Sequence, residues 1–325
     1  MTTTRARPSG AGSPERRAAL LPLAAILASM TSVQVGAALS VPLFGTFGVA
    51  GTTWLRLALS AAILLAVARP SRIARRDLPA AALLGVVTAA NSMAFALATD
   101  RIPLGVTVAV EFCGPLGVAV ARARGLAARR LAWPALAFAG VLLLTQPWTV
   151  GTDAGAARTW SGLALAAAAG AGWAAYILLT AHVGRRSEGL TGLSIALTAG
   201  MLALLPFGGP AAWPVISAAA GGSGTALRAL AICAVAALLV PLVSYSLEMV
   251  ALRSLDQGVF GVWMALEPAI GTLVGVAVLA QRPSAWQLAG VVLVVGAGVG
   301  VQRVPVAPTG QPAGGRGSAA STAPP

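Results

Sequence analysis

The stretch VAVEFCGPLGVAV, Val108 to Val120, is an apolar run whose interior holds one carboxylate, Glu111, and a Gly114-Pro115 pair one turn further on. A charge at the centre of a bilayer costs between roughly 2.5 and 17 kcal/mol, depending on the method, so such a residue faces a cavity or a partner. Proline removes a helical hydrogen bond and frees a carbonyl, which is tolerated at membrane depth only where protein or a water-filled path satisfies it. A second stretch, MALEPAIGTLVGVAV from Met264 to Val278, places Glu267 next to Pro268. Gly114, Pro115 and Pro268 are therefore expected to break their helices, and the two carboxylate-bearing spans to meet at a site between two halves of a transporter.

Composition agrees with a membrane setting. The 325 residues are 57% hydrophobic and 10% charged, against about 25% charged in an ordinary soluble domain. Mean hydropathy is +0.83. The net charge of +13 comes wholly from Arg, which falls in short clusters between apolar runs rather than along one face. That distribution argues for membrane orientation and against a nucleic-acid partner. Cys113 and Cys233 sit far apart inside apolar runs, so neither a disulfide nor a metal site is expected.

A helix needs about 20 mostly apolar residues to cross the hydrocarbon core, and ten stretches qualify. They are residues 20–38, 48–68, 78–98, 104–121, 131–147, 161–181, 190–208, 227–250, 258–280 and 285–302. The expected class is an all-α membrane protein with ten transmembrane helices. Residues 1–19 and 303–325 are rich in Pro, Gly, Ser and Ala, and read as disordered tails. Seventeen of the 22 Arg fall on the tail side of this arrangement and four on the other. The positive-inside rule then puts both termini in the cytoplasm of a cell (inner) membrane protein. Trp133, Trp148, Trp160, Trp213 and Trp286 fall near span ends, where an anchoring role at the headgroups is expected.

A slide of 153 residues superposes Gly105 on Gly258, Pro115 on Pro268, Ala132 on Ala285 and Trp133 on Trp286 without a gap. The chain is thus expected to comprise two five-helix repeats, 20–147 and 161–302, joined by an external linker, 148–160. Five is odd, so the second repeat crosses in the opposite sense, the inverted topology of many secondary transporters. In this register Glu111 and Glu267 differ by three positions, about one helical turn.

Arg56 lies about eight residues into the second span and Glu111 about seven into the fourth, so their depths are comparable at roughly 1.5 Å per residue. Two readings stay open: the two charges neutralise each other, or Arg56 holds a substrate carboxylate while Glu111 or Glu267 holds its amine. Asn91 and Ser244 share the 153-residue register and are expected to line the path. Trp173, Tyr176 and Tyr245 are further polar groups within spans and are counted with them as candidates for substrate binding. Gln34, Ser92 and Ser246 are ascribed to hydrogen bonds between helices. Glu267, Gly271 and Gly275 form a stripe suited to close helix packing.

No phosphate-binding loop, dinucleotide fingerprint, zinc pattern or nucleophile elbow is present in the sequence, so no enzyme and no cofactor are expected. The segments IPLGVTVAVEFCGPLGVAV from Ile102, GAGWAAYILL from Gly170, PLVSYSLEMVAL from Pro241 and FGVWMALEPA from Phe260 together resemble the EamA family of the drug/metabolite transporter superfamily. Within it, the likeness is greatest to exporters of threonine and homoserine. The resemblance implies export of small amino acids or related metabolites by alternating access, without ATP, and a role for Glu111, Glu267 and the Asn91 region. Its partners would be a small-molecule substrate, the bilayer and, if a carboxylate is alternately protonated, protons. A facilitator or exporter of other metabolites or drugs is the alternative; a receptor or polytopic enzyme is disfavoured by the lack of a soluble domain or reactive cluster. The chain departs from the family at Ala280-Gln281-Arg282-Pro283, where Gly-Glu is common.

Overall fold

The computed structural model describes residues 14–68, 78–122, 127–146, 148, 154–184, 191–244, 247 and 263–302. Within them there are ten α-helices and no strand. They are α1 (Pro14–Ser40), α2 (Phe44–Ala68), α3 (Leu78–Thr99), α4 (Leu104–Arg122), α5 (Ala127–Thr145), α6 (Ala154–Gly184), α7 (Thr191–Ala220), α8 (Gly224–Ala237), α9 (Glu267–Leu279) and α10 (Ala285–Gln302). Four apolar stretches are long enough to cross a membrane as they stand: Leu21–Val67, which takes in both α1 and α2, Leu78–Thr99, Gly155–Thr180 and Gly192–Ala220. Shorter apolar helices make up α4, α5, α8, α9 and α10.

Several boundaries differ from expectation. Helix α6 begins at Ala154, inside the stretch read as a linker. Helix α7 continues to Ala220 through Pro206, Pro210 and Pro214. Their spacing of four keeps the carbonyls they free on one side, so the helix bends without ending. Gly221 to Gly224 is a turn, with Gly222 at φ 86° and Ser223 accepting from Ala226 N as the cap of α8. The sharpest interruption lies in α2, at Gly48 (φ 69°, ψ 165°), a conformation reserved for glycine.

The two proline sites also behave differently from each other. Helix α4 runs through Gly114-Pro115 without a break, which corrects the expectation there. Proline removes only the bond from its own N–H to the carbonyl four residues back, here that of Glu111. Pro268, by contrast, sits in the first turn of α9, after a turn at Ala265-Leu266. Its missing donor is one that a helix start leaves unused in any case.

Helix neighbours repeat with a period of five. Helix α1 packs on α8 as α6 does on α3, α2 on α8 as α7 on α3, α1 on α9 as α6 on α4, and α4 on α5 as α9 on α10. Cross-half packing also pairs each of α2, α4 and α5 with the helix five places on. Those pairs are antiparallel. Leu104 lies against Gly275, Gly105 against Thr272 and Val108 against Gly271, while Leu144 meets Gly290, Gly140 meets Val294 and Trp133 meets Gly300.

Trp133 is half-buried, its ring filling the space left at Gly300. Trp148, Trp160, Trp213 and Trp286 are all exposed.

Where α4 begins and α9 ends, two side chains tie the halves together. Leu104 N donates to Gln281 Oε1 at 3.2 Å, and Gln146 Nε2 to Ser284 Oγ at 2.6 Å. Gln281 thus satisfies a free N–H at the start of α4. Ala280 beside it adopts φ 52°, a left-handed conformation that costs an L-residue roughly 1–2 kcal/mol. Ala280→Gly is expected to raise stability by about 1 kcal/mol, read from the thermal unfolding midpoint of the purified protein in detergent. An unchanged or lower midpoint would count against the left-handed assignment.

Candidate functional site

Helices α3, α4 and α6 meet around Glu111. The absence of a side chain at Gly114 and Gly170 lets the α4 and α6 backbones touch: a Cβ on Gly114 would overlap the Gly170 carbonyl, and one on Gly170 would stand 2.8 Å from the Glu111 carbonyl oxygen. That oxygen is the one Pro115 deprives of its helical donor, so the chain covers it with α6. Glu111 itself is 8% exposed, and Asn91 of α3 lies beside its side chain. Trp173 stands edge-on to Phe112, with ring centroids 6.3 Å apart.

Glu267 enters from the other half. It is 5% exposed, opens α9, and accepts from Gln34 Nε2 of α1 at 3.3 Å. A carboxylate suits the first turn of a helix, whose free N–H groups and dipole favour negative charge. The antiparallel contacts of α4 with α9 bring Glu111 and Glu267 to the same level, because each step from Leu104 toward Glu111 is matched by a step from Gly275 toward Glu267. The level lies two turns, or about 10 Å, from the tie at Leu104 and Gln281.

Arg56 occupies a separate but adjoining place. It lines a cavity of about 80 Å³ with Thr53, Ser60, Thr88, Ser92 and Val240. Its Nε is buried without a hydrogen-bond partner, and among the described residues it forms no ion pair with Glu111. Of the two readings left open by the sequence, mutual neutralisation is the one the structure does not support. Asn91 and Ser92 are consecutive on α3, one turned to Glu111 and the other to the Arg56 cavity.

The remaining expectations scatter. Tyr176 packs with Ala81, Leu84 and Ala196, away from both carboxylates. Ser244 is buried where α8 has loosened into a π-helical turn, Leu238–Val243. Pro241 lies in that turn, whose bonds reach five residues back and so bypass its missing N–H. Ser60 Oγ donates to Ala237 O at 3.3 Å, while Ser32 and Ser29 reach Leu239 O and Ser244 O. Ser244 therefore serves the junction of α8 with α1. Tyr245 lies outside the described residues. Gln34, which sequence reasoning left among interhelical hydrogen bonds, proves to be the partner of Glu267. Its signal was a carboxamide in the middle of an apolar run.

A cavity of about 810 Å³ lies on another face of α4, between α5 and α6. Its lining includes Cys113, Gly117, Phe138 and Ala171 and carries no charge.

Residues 160–301 match the model of the EamA-like transporter family. Over 294 residues the chain is 32% identical to the threonine/homoserine exporter RhtA of Escherichia coli strain K12, covering 89% of this chain and 94% of the relative. The same protein of Salmonella typhimurium strain LT2 is similar to the same extent. The chain belongs to the EamA-like transporter family. This transporter also shares its fold with a protein of known crystal structure, at 21% identity and a TM-score of 0.51, over 85% of this chain and 96% of that one. It is a multi-pass membrane transporter and not an enzyme.

Proposed function

We propose that the protein is a ten-span carrier of the cell inner membrane, with both termini in the cytoplasm, that exports threonine- or homoserine-like amino acids by alternating access of two inverted halves. The observation that carries this reading is the antiparallel crossing of α4 and α9, which sets Glu111 and Glu267 at one level. The period-five pattern of helix neighbours supports the inverted repeat. The similarity to the threonine/homoserine exporters supports the cargo. A zwitterion needs both signs, and α3 joins them: the ammonium is held at the carboxylates on the Asn91 side, the carboxylate at Arg56 on the Ser92 side. Antiport of protons follows if a glutamate carries a proton in one direction and the substrate ammonium in the other.

Counterflow of labelled threonine in liposomes containing the purified protein tests the proposal. Saturable exchange that homoserine competes, and that an imposed pH gradient drives, is expected. Exchange indifferent to the gradient would make the protein a facilitator. No exchange by folded protein would remove amino acids as the cargo. An Arg56→Met variant is expected to raise the threonine KM about tenfold or more, the effect of losing a hydrogen bond to a charged group; an unchanged KM would separate the Arg56 cavity from the substrate path.

A further inference from the structure

Each buried carboxylate has a carboxamide at its side. Gln34 donates to Glu267 at 3.3 Å, and Asn91 lies beside Glu111. A carboxamide that turns its NH2 toward a carboxylate turns its carbonyl elsewhere. In both residues that carbonyl oxygen, Gln34 Oε1 and Asn91 Oδ1, is buried without a hydrogen-bond partner. Gln34 as a whole is only 2% exposed. A buried acceptor left unmet is disfavoured, and these two carbonyls stand beside the two carboxylates.

The direction of Gln34 Oε1 is informative. A Cβ on Gly271 would stand 3.4 Å from it and 3.0 Å from Val108 Cγ2. The oxygen thus faces the seam between α4 and α9, along which both glutamates lie. The group that complements such a set is positive, rich in N–H and free of acceptors, which describes a primary ammonium with its three donors.

We propose that Gln34 and Asn91 bind substrate, their side-chain carbonyls accepting N–H donors of a primary ammonium whose charge Glu267 and Glu111 balance. This rests on the amino-acid carrier reading above and adds to it the atoms that select an amine. The carboxylates supply attraction for any cation. The two carbonyls supply selectivity, because a substrate that lacks the amine leaves them unpaired, and sites built to hydrogen-bond a group reject analogues without it.

The test uses the full-length protein in liposomes and labelled threonine, comparing wild type with Gln34→Met, which keeps side-chain length and removes both polar atoms. The variant is expected to show at least a tenfold higher KM with its maximal exchange rate retained. It is also expected to lose the preference for threonine over the 2-hydroxy analogue as competitor. A KM and a competition profile equal to wild type would overturn the proposal. Should Gln34→Met not fold, Asn91→Leu provides the same comparison at the second carboxamide. If wild type exchanges no threonine, the amino-acid reading fails separately, and the amine site is judged by thermal unfolding with ethanolamine beside ethylene glycol. Stabilisation of wild type by ethanolamine alone, absent in Gln34→Met, upholds the site; equal effects of the two compounds, or no effect of either, overturn it.

Discussion

Gly114→Ala is expected to lower the stability of the purified protein by about 3 kcal/mol or more, at the upper end of what overpacking a well-filled interior costs. The new methyl group has nowhere to go. It would overlap the carbonyl of Gly170, a backbone atom that cannot rotate away, so α4 and α6 must separate along their whole crossing. That separation would uncover the Glu111 carbonyl, which Pro115 leaves without its helical donor and which Gly170 now covers. Gly117→Ala is the control. It lies on the same helix, less than one turn on, with nothing within 4 Å of its would-be Cβ. There the higher helix propensity of Ala, about 1 kcal/mol, should leave stability unchanged or raised. Thermal unfolding of both variants in detergent decides the matter. Equal midpoints for the two would mean that α4 and α6 do not cross at Gly114.

Glu267→Gln is expected to reduce threonine exchange about 10- to 100-fold while the protein still folds. The substitution preserves volume, so the packing of α9 on α1 and α4 survives. What changes is the charge. A hydrogen bond to a charged group contributes about 1.5–3 kcal/mol, and every 1.4 kcal/mol is a factor of ten. Some loss of stability should accompany it, a few tenths of a kcal/mol, because the first turn of α9 loses a negative charge that its dipole favours. Initial rates of counterflow in liposomes, normalised to reconstituted protein, provide the measurement. Full exchange by both Glu267→Gln and Glu111→Gln would reduce the two carboxylates to structural residues and move the ammonium elsewhere.

Membrane insertion and helix content were legible in the chain. Apolar length decides whether a segment can cross a bilayer, and that is a local property. The two glutamates were legible for the same reason, since an ionised group in an apolar run is conspicuous wherever it ends up. The family, too, was visible in four short segments in their proper order. Helix ends were less so: α7 passes three prolines and runs to Ala220, beyond the span read as 190–208, because whether a freed carbonyl ends a helix depends on what packs against it.

What the sequence by itself determined, then, is the class of protein and which polar side chains had to find partners. Which partners they found was decided by the tertiary structure. Arg56 and Glu111 have comparable depth and opposite charge, yet they face different sides of α3, and depth carries no information about facing. Trp133 stands at a span end like the other tryptophans, but Gly300 on a helix more than 150 residues away makes room for it. Gln34 was one amide among several until the antiparallel crossing of α4 and α9 placed it against Glu267. In each case the missing information is the relative rotation of two helices about their axes. That rotation is fixed by close backbone approach at small residues such as Gly114 and Gly170, and a single sequence does not specify which small residues meet.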